Sequence, residues 1–291
     1  MSATEQQEVR LSSLGRVLWP DVGFTKADLV AYYAAVAPAL LAHVAGRPLT
    51  LARFPEGVNR AGWYQTNWRA RPAWLPTVLL GTQEYGIVND LPSLLWVANV
   101  GGIELHPLAA RAERIDEPTH VVFDLDPGAP AGLLDCCRVA VRLRERLAEL
   151  RLAAFVKTSG SLGLHVCVPL SRGHAYRETK AFARAIALEL AAADPHRVVA
   201  RTARSLRAGK VLVDWVQNDA RKSTVAAYSP RALRRPAVST PLAWEEVEDA
   251  LAARDPARLV FEPAQVVERV DRVGDLFRPV LELAQSLPVT G

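Results

Sequence analysis

His120-Val121-Val122-Phe123-Asp124-Leu125-Asp126-Pro127-Gly128 places two carboxylates at the end of an apolar, β-branched run. Such a run predicts a strand. Side chains alternate faces along a strand, so Asp124 and Asp126 leave one face together, with Val122 preceding them on it. Two like charges that close are unfavourable unless a cation sits between them. Hard divalent ions such as Mg²⁺ and Mn²⁺ prefer oxygen ligands of this kind. Pro127-Gly128 ends the run, which predicts that the pair sits at an open sheet edge within reach of ligands. The expectation is a metal site for phosphate chemistry, set against the ordinary alternative of a surface turn or cap.

A partner acid lies in Val211-Leu212-Val213-Asp214-Trp215-Val216, a second apolar strand signal. One Asp in such a run costs on the order of several kcal/mol to bury unless it is paired or metal-bound. A salt bridge to Arg207 or Lys210 is the alternative. Three carboxylates on neighbouring strands would hold two metal ions for in-line nucleotidyl transfer. Between the acidic strands, Lys157-Thr158-Ser159-Gly160-Ser161-Leu162-Gly163-Leu164-His165-Val166 reads as a Gly-rich turn. Its free backbone N–H groups offer an anion nest. The Ser159 hydroxyl adds a further donor, and His165 can donate to a triphosphate oxygen. A histidine in the core with satisfied hydrogen bonds is the alternative for His165.

The 291 residues suffice for one large domain or two subdomains sharing a core. Half are hydrophobic and 23% are charged, the balance of a globular protein. No apolar run is expected to reach the length of a membrane span, so neither a membrane partner nor a membrane location is expected. Cys136, Cys137 and Cys167 form no Cys-x-x-Cys pair and read as reduced core thiols in a cytoplasmic protein. From His196 to Arg235, ten basic residues face only Asp214 and Asp219, a local balance of +8 in a chain of net +4. This fits a polyanion-binding face beside the proposed metals, or else a solvated arginine-rich surface.

Thr25 caps a predicted helix over 25–45, in which Pro38 should produce a kink or a division. A short strand is expected from Pro48 to Pro55, and mixed signals over 84–106. The second half predicts strand 120–125, helix 132–150, strands 153–158 and 163–169, helix 175–192, strands 210–216 and 223–229, then helices near 244–253 and 263–270. Strand–helix–strand–strand–helix–strand is the split β-α-β order of RNA-recognition-like folds, which places Asp214 beside the Asp pair on one antiparallel sheet. No Walker phosphate loop and no Gly-x-Gly-x-x-Gly occurs.

Three motifs in order resemble the polymerase domain of bacterial DNA ligase D, of the archaeo-eukaryotic primase superfamily: Asp-Leu-Asp-Pro-Gly, Thr-Ser-Gly-Ser-Leu-Gly-Leu-His-Val, and Val-Asp-Trp-Val-Gln-Asn-Asp-Ala-Arg-Lys-Ser-Thr-Val-Ala-Ala-Tyr-Ser-Pro-Arg. The resemblance extends to Leu11–Arg16, Arg47–Pro55 and Gly102–His106. It implies an α+β primase-polymerase fold: an RNA-recognition-like antiparallel catalytic sheet (about 111–291) packed on an N-terminal α/β subdomain (about 1–110), together one domain over 1–291.

By the same resemblance the activity is template-directed addition of nucleotides to primer ends or short gaps, in repair of breaks by non-homologous end joining. Asp124, Asp126 and Asp214 would hold two Mn²⁺ or Mg²⁺ ions. Ser159, His165, Arg207 and Arg231 match positions around the incoming nucleoside triphosphate, with Gln217 and Lys222 in the same region. Trp63-Tyr64 matches an aromatic pair that stacks near the template and incoming base. Arg16 and Lys26 match a contact to a DNA 5′-phosphate, the Lys26 ammonium joining free N–H groups at its helix N-terminus. A preference for ribonucleotides and for Mn²⁺ is implied. Implied partners are primer-template DNA, gapped DNA or DNA ends, a separate DNA ligase and the Ku end-binding protein, in a cytoplasmic, nucleoid-associated location. The resemblance also suggests a stand-alone form without ligase or nuclease domains. Leu162 and Ala52 stand where the family commonly has Lys, which removes two cations from the reach of phosphates. That departure motivates a second reading, a catalytically weak DNA-end binding protein on the same fold. A metal-dependent nuclease or a sugar transferase using Asp-x-Asp ranks last, because neither requires the Gly-rich turn.

Overall fold

The computed structural model describes residues 9–288. The N-terminal half runs β1 (Val17–Trp19), β2 (Phe24–Thr25), α1 (Lys26–Val44), β3 (Leu49–Arg53), β4 (Trp63–Gln65), β5 (Thr77–Leu80), β6 (Gln83–Gly86), α2 (Leu91–Asn99) and β7 (Gly102–Pro107). There follow β8 (His120–Pro127), α3 (Leu133–Glu149), β9 (Phe155–Thr158), β10 (Leu164–Pro169), α4 (Tyr176–Ala193), β11 (Val198–Val199) and β12 (Val211–Asp214). The chain closes with β13 (Pro230–Arg231), β14 (Ala237–Val238), β15 (Pro241–Leu242), α5 (Trp244–Ala253), α6 (Pro263–Val273) and α7 (Pro279–Glu282).

The larger sheet has the order β11-β12-β8-β10-β9-β15. Strands β12, β8, β10 and β9 pair antiparallel in turn, the arrangement the split β-α-β order predicts. Period-two alternation divides its faces. Val121, Phe123 and Leu125 of β8, Leu164, Val166 and Val168 of β10, and Val211 and Val213 of β12 are buried in one core. Against them α3 supplies Cys136, Ala140, Leu143 and Leu147, and α4 supplies Phe182, Ala183, Ile186 and Ala187, the spacing of one helix face. Burial of each large side chain contributes roughly 1.5–3 kcal/mol. The other face carries Asp124, Asp126, His165 and Lys157, then gives way to Val122 and Cys167. Those two enter a second core with α1, α2, β3 and β7. Tyr228, Val266 and Phe277 join the same core, so it draws on both halves of the chain. The three cysteines are free and buried.

Several expectations are corrected. Strand β8 lies between β12 and β10, so the Asp pair sits mid-sheet at the strand's end and not on an open edge. Helix α1 continues through Pro38, so the proline does not divide it. Pro38 is exposed, so the carbonyl deprived of its partner can be met by water. That helix is also long and apolar enough to cross a membrane by length and composition, contrary to expectation. Its Leu29, Tyr33, Val36, Leu40 and Val44 are instead fully buried in the protein core. The strand expected over 223–229 is absent. Tyr228 has a left-handed φ of 65°, and the amides of Ala226 and Tyr228 donate to Leu105 and Ser239, so no single partner strand is followed.

The C-terminal segment is tied down by one carboxylate. Asp275 lies 2.9 Å from His43 Nε2 on α1 and accepts hydrogen bonds from the Tyr228 hydroxyl (2.6 Å) and the Phe277 amide (2.9 Å). Burial pushes its carboxyl up, but His43, Tyr228 and the Phe277 amide outweigh that and hold it below the usual carboxylate range. A depressed carboxylate stabilises the fold above its unfolded pKa, and the contribution is lost as pH falls through the folded value. Asp275→Asn is therefore expected to lower stability by about 2–4 kcal/mol near neutral pH. Urea melts should show the deficit shrinking as the solution is acidified below about pH 4.

Candidate active site

Cross-strand register builds the site. Asp214 pairs with Asp124, Asp124 with His165, and His165 with Lys157, across β12, β8, β10 and β9. Directly opposed residues point to the same face, so two acids, an imidazole and an amine form one row. Asp126, two residues on from Asp124, adds the third acid. Donor atoms of Asp124, Asp126 and Asp214 lie within 4.8 Å of one another. Asp214 makes neither of the ion pairs weighed for it: its oxygens accept from the Val216 amide and Gln217 Nε2, both at 2.9 Å. Arg207 and Lys210 donate instead to the carbonyls of Thr202 and Pro195.

The carboxyls are electrostatically split. Burial raises Asp124, but His165, whose Nε2 lies 3.3 Å away, outweighs it together with Lys157 and Arg231 and holds the group low. Burial, then Asp124 and Asp214, push Asp126 up to about 6. Burial pushes Lys157 down to about 7, and burial with Lys157 lowers His165. Asp124 Oδ1 is buried with no hydrogen-bond partner. Three oxygen donors, one of them orphaned and one charge-frustrated, fit hard divalent ions.

Asp124 and Asp126 open onto a cavity of about 430 Å³ that Ser159, His165, Arg207, Gln217, Arg231 and His106 also line, with Asp214 behind Gln217 and outside the lining. His165 Nδ1, Arg207 Nε and Arg231 Nε are buried there without hydrogen-bond partners. The anion nest expected in the Gly-rich turn is partly engaged from within. Ser159 Oγ accepts from the amides of Ser161 and Gly163, both at 3.2 Å, because a serine hydroxyl competes for nearby N–H groups. The hydroxyl proton remains able to donate. Glycine is required at 163, where a Cβ would stand 2.1 Å from the Leu125 carbonyl, and at 160, where φ is +70° and a Cβ would meet Arg231 and the Ser239 amide at 2.7 Å.

Other expected residues are placed less centrally. Lys222 is exposed and does not line the cavity. Trp63 and Tyr64 occupy successive positions of β4 and so face opposite ways. Tyr64 meets His106 edge-on at 5.5 Å, whereas Arg53 covers Trp63 at 5.1 Å. The N-terminus of α1 offers no free amides. Lys26 and Ala27 donate to the carbonyls of Arg16 and Leu14, and Asp28 to Thr25 Oγ1. Lys26 Nζ bonds the carbonyls of Ser12 and Asn99, and Arg16 bonds Pro55 O and Glu56. Sequence reasoning missed Glu104 and His106, although their i, i+2 spacing on a strand was the available signal.

A family model for the LigD primase-polymerase domain matches residues 25–277. The chain belongs to this family. It is 38% identical over 281 residues to the multifunctional non-homologous end joining protein LigD of Mycolicibacterium smegmatis, covering 94% of this chain and 36% of that one. To the LigD of Pseudomonas aeruginosa it is 34% identical, covering 84% and 30%. The chain thus spans 30–36% of the length of these two curated relatives. The polymerase domain from Mycobacterium tuberculosis Ligase D, solved in complex with DNA, superposes with a TM-score of 0.88 at 35% identity, covering 96% of this chain and 100% of that one. The fold is α+β, and the family is one of nucleotidyltransferases of the primase-polymerase kind.

The frustrated triad has a measurable consequence for stability. Asp126 has a folded pKa above its unfolded one, so its charge opposes folding, negligibly below about pH 4 and fully above about pH 6. In chelator-treated protein Asp126→Asn should raise stability by about 1–2 kcal/mol near pH 7.5, allowing for partial exposure. The gain should vanish in acid melts, and added Mn²⁺ should stabilise wild type more than the variant.

Proposed function

We propose that this domain extends primer ends and fills short gaps by template-directed nucleotidyl transfer, in end-joining repair of DNA breaks. The observation that carries this reading is the convergence of orphaned polar atoms on one cavity: an acceptor on Asp124 and a guanidinium nitrogen on Arg207. Acceptors without donors call for a cation, and buried guanidinium N–H groups without acceptors call for phosphate oxygens. Asp124, Asp126 and Asp214 are the residues to hold two Mn²⁺ or Mg²⁺ ions. Such ions, when bound, lower the pKa of a primer 3′-hydroxyl and offset the charge of the triphosphate and departing pyrophosphate. Arg207, Arg231 and His165 bind the triphosphate, and Gln217 orients Asp214. Tyr64 offers a face for a base, with Trp63 beside it, while Lys222 serves DNA outside the cavity. The Ser159 O–H is the group for recognising a ribose 2′-hydroxyl, which favours ribonucleotides. The structural relative was solved with DNA; for this chain primer-template or gapped DNA is the proposed substrate. Partnership with a ligase and Ku, and a place at the nucleoid, are proposed with it. The chain is proposed to act as one primase-polymerase domain.

Primer extension tests this. Asp124→Ala and Asp214→Ala should each lose activity by about a hundredfold or more while melting like wild type. Wild type should prefer ribonucleotides, and Ser159→Ala should erode the preference. Well-folded Asp variants that extend primers would overturn the site, and equal use of both sugars the sugar preference. The second reading, a weak end-binding protein, draws on Leu162, 69% exposed at the cavity rim. It would be favoured if wild type binds ends but extends none.

The proposed 5′-phosphate contact now rests on the side chains of Arg16 and Lys26 alone, since the helix amides are engaged. A downstream 5′-phosphate should tighten binding of gapped DNA to wild type. Arg16→Ala with Lys26→Ala should remove the difference. Wild type that ignores the phosphate refutes the contact and leaves the catalytic reading standing.

A further inference from the structure

Glu104 is buried on β7, with a side-chain exposure of 6%, yet belongs to no metal cluster among the described residues. One oxygen accepts from His106 Nε2 at 2.9 Å. The other accepts from the Ala232 amide at 2.8 Å and lies 3.1 Å from Arg231 Nε, an ion pair too poorly angled to be a hydrogen bond. Arg231 in turn donates from Nη1 to the Ser159 carbonyl in the Gly-rich turn. Ala52 stands opposite Glu104 on β3, so no cation from that strand competes for the carboxylate. Burial pushes the Glu104 carboxyl up, but the His106 hydrogen bond and the Arg231 charge outweigh it and hold it at about 2. A single ionised side chain from the N-terminal half thus links His106, Arg231 and the turn at 159–163.

We propose that Glu104 is the positioning residue of the nucleotide pocket, fixing His106 and Arg231 in the arrangement that receives the triphosphate of an incoming nucleotide. The proposal rests on the nucleotidyltransferase reading above. An arginine tethered through Nε and Nη1 keeps its remaining N–H groups aimed, so little side-chain entropy is lost when phosphate arrives. A carboxylate accepting from His106 Nε2 fixes the proton on that nitrogen and the orientation of the ring against Tyr64. Untethered, the same cations would still attract the triphosphate but would hold it less specifically. The fault should therefore appear chiefly in nucleotide affinity.

The test is a double-mutant cycle on the intact protein, read by binding of ATP in the presence of Ca²⁺ and by KM and kcat for primer extension with Mn²⁺. Glu104→Gln should weaken ATP binding and raise KM about tenfold or more, with a much smaller change in kcat; it should also lower the melting temperature, so binding is read where circular dichroism shows the variant folded. Glu104→Asp, which keeps the charge but retracts it, should fall between, and it carries the same cycle if the Gln variant does not fold. On an Arg231→Ala background either substitution should cost clearly less than it does on wild type, because one of the two groups it positions is gone and only His106 remains. Equal losses on both backgrounds, or a folded Glu104 variant with wild-type KM, would overturn the proposal. Wild type that binds no ATP would instead overturn the functional reading beneath it.

Discussion

Everything in the site follows from mutual repulsion among three carboxylates that the sheet does not allow to relax. Strand register sets Asp214 directly across from Asp124, and period-two alternation brings Asp126 to the same face. A one-residue slip of β8 would turn both of its acids into the helix-packed core and bring Phe123 and Leu125 out. The apolar residues on the opposite face therefore hold the acids together. Each buried Val, Leu or Phe there contributes roughly 1.5–3 kcal/mol, and several such residues outweigh the cost of Asp126, whose carboxyl burial and then the Asp124 and Asp214 charges push up to about 6.

The charges around the triad are graded across the sheet. Next to the acids comes His165, then Lys157, both buried, while Arg231 and Arg207 approach from segments outside the central strands. His165 and then Lys157, nearest the acids, hold Asp124 ionised and ready as a ligand. Arg207, at the cavity wall, keeps an unpaired N–H group. A site that had neutralised itself completely with internal salt bridges would have nothing left for metal or phosphate. The ion pairs considered for Asp214 are absent for a reason consistent with this, since Arg207 and Lys210 spend hydrogen bonds on carbonyls.

How much of this was legible in the sequence depends on the range of the interaction concerned. Asp124 and Asp126 were legible because alternation is local, and so was the strand–helix order, because each element carries its own apolar period. The central place of β8 followed from that order, whereas the open edge expected for the Asp pair did not hold, since Pro127-Gly128 marks a strand's end but says nothing of its neighbours. The loop over 223–229 looked like a strand because it is apolar. It is apolar because it fills the second core, with backbone bonds spread over Leu105 and Ser239. The anion nest has fewer free amides than expected for a local reason that composition conceals: Ser159 bonds two amides of its own turn. Glu104 was hidden because its further partners lie more than a hundred residues away, at Arg231 and Ala232, and the i, i+2 spacing to His106 alone does not reveal them.

That long reach also explains why the two halves of the chain must fold as a unit to make a working pocket. The acids and His165 come from the larger sheet. The residue that disciplines Arg231 comes from β7, in the other sheet, and Asp275 ties the C-terminal segment back to α1 near Tyr228. Between Tyr228 and Arg231 lie only Ser229 and Pro230, so the segment that ends the tether at Asp275 also delivers the guanidinium to the pocket. Ser229 Oγ accepts from the Leu105 amide beside Glu104, fastening the same segment to β7. Loss of packing in the second core would thus reach the phosphate-binding cations before the metal carboxylates, whose strand is held from the opposite face.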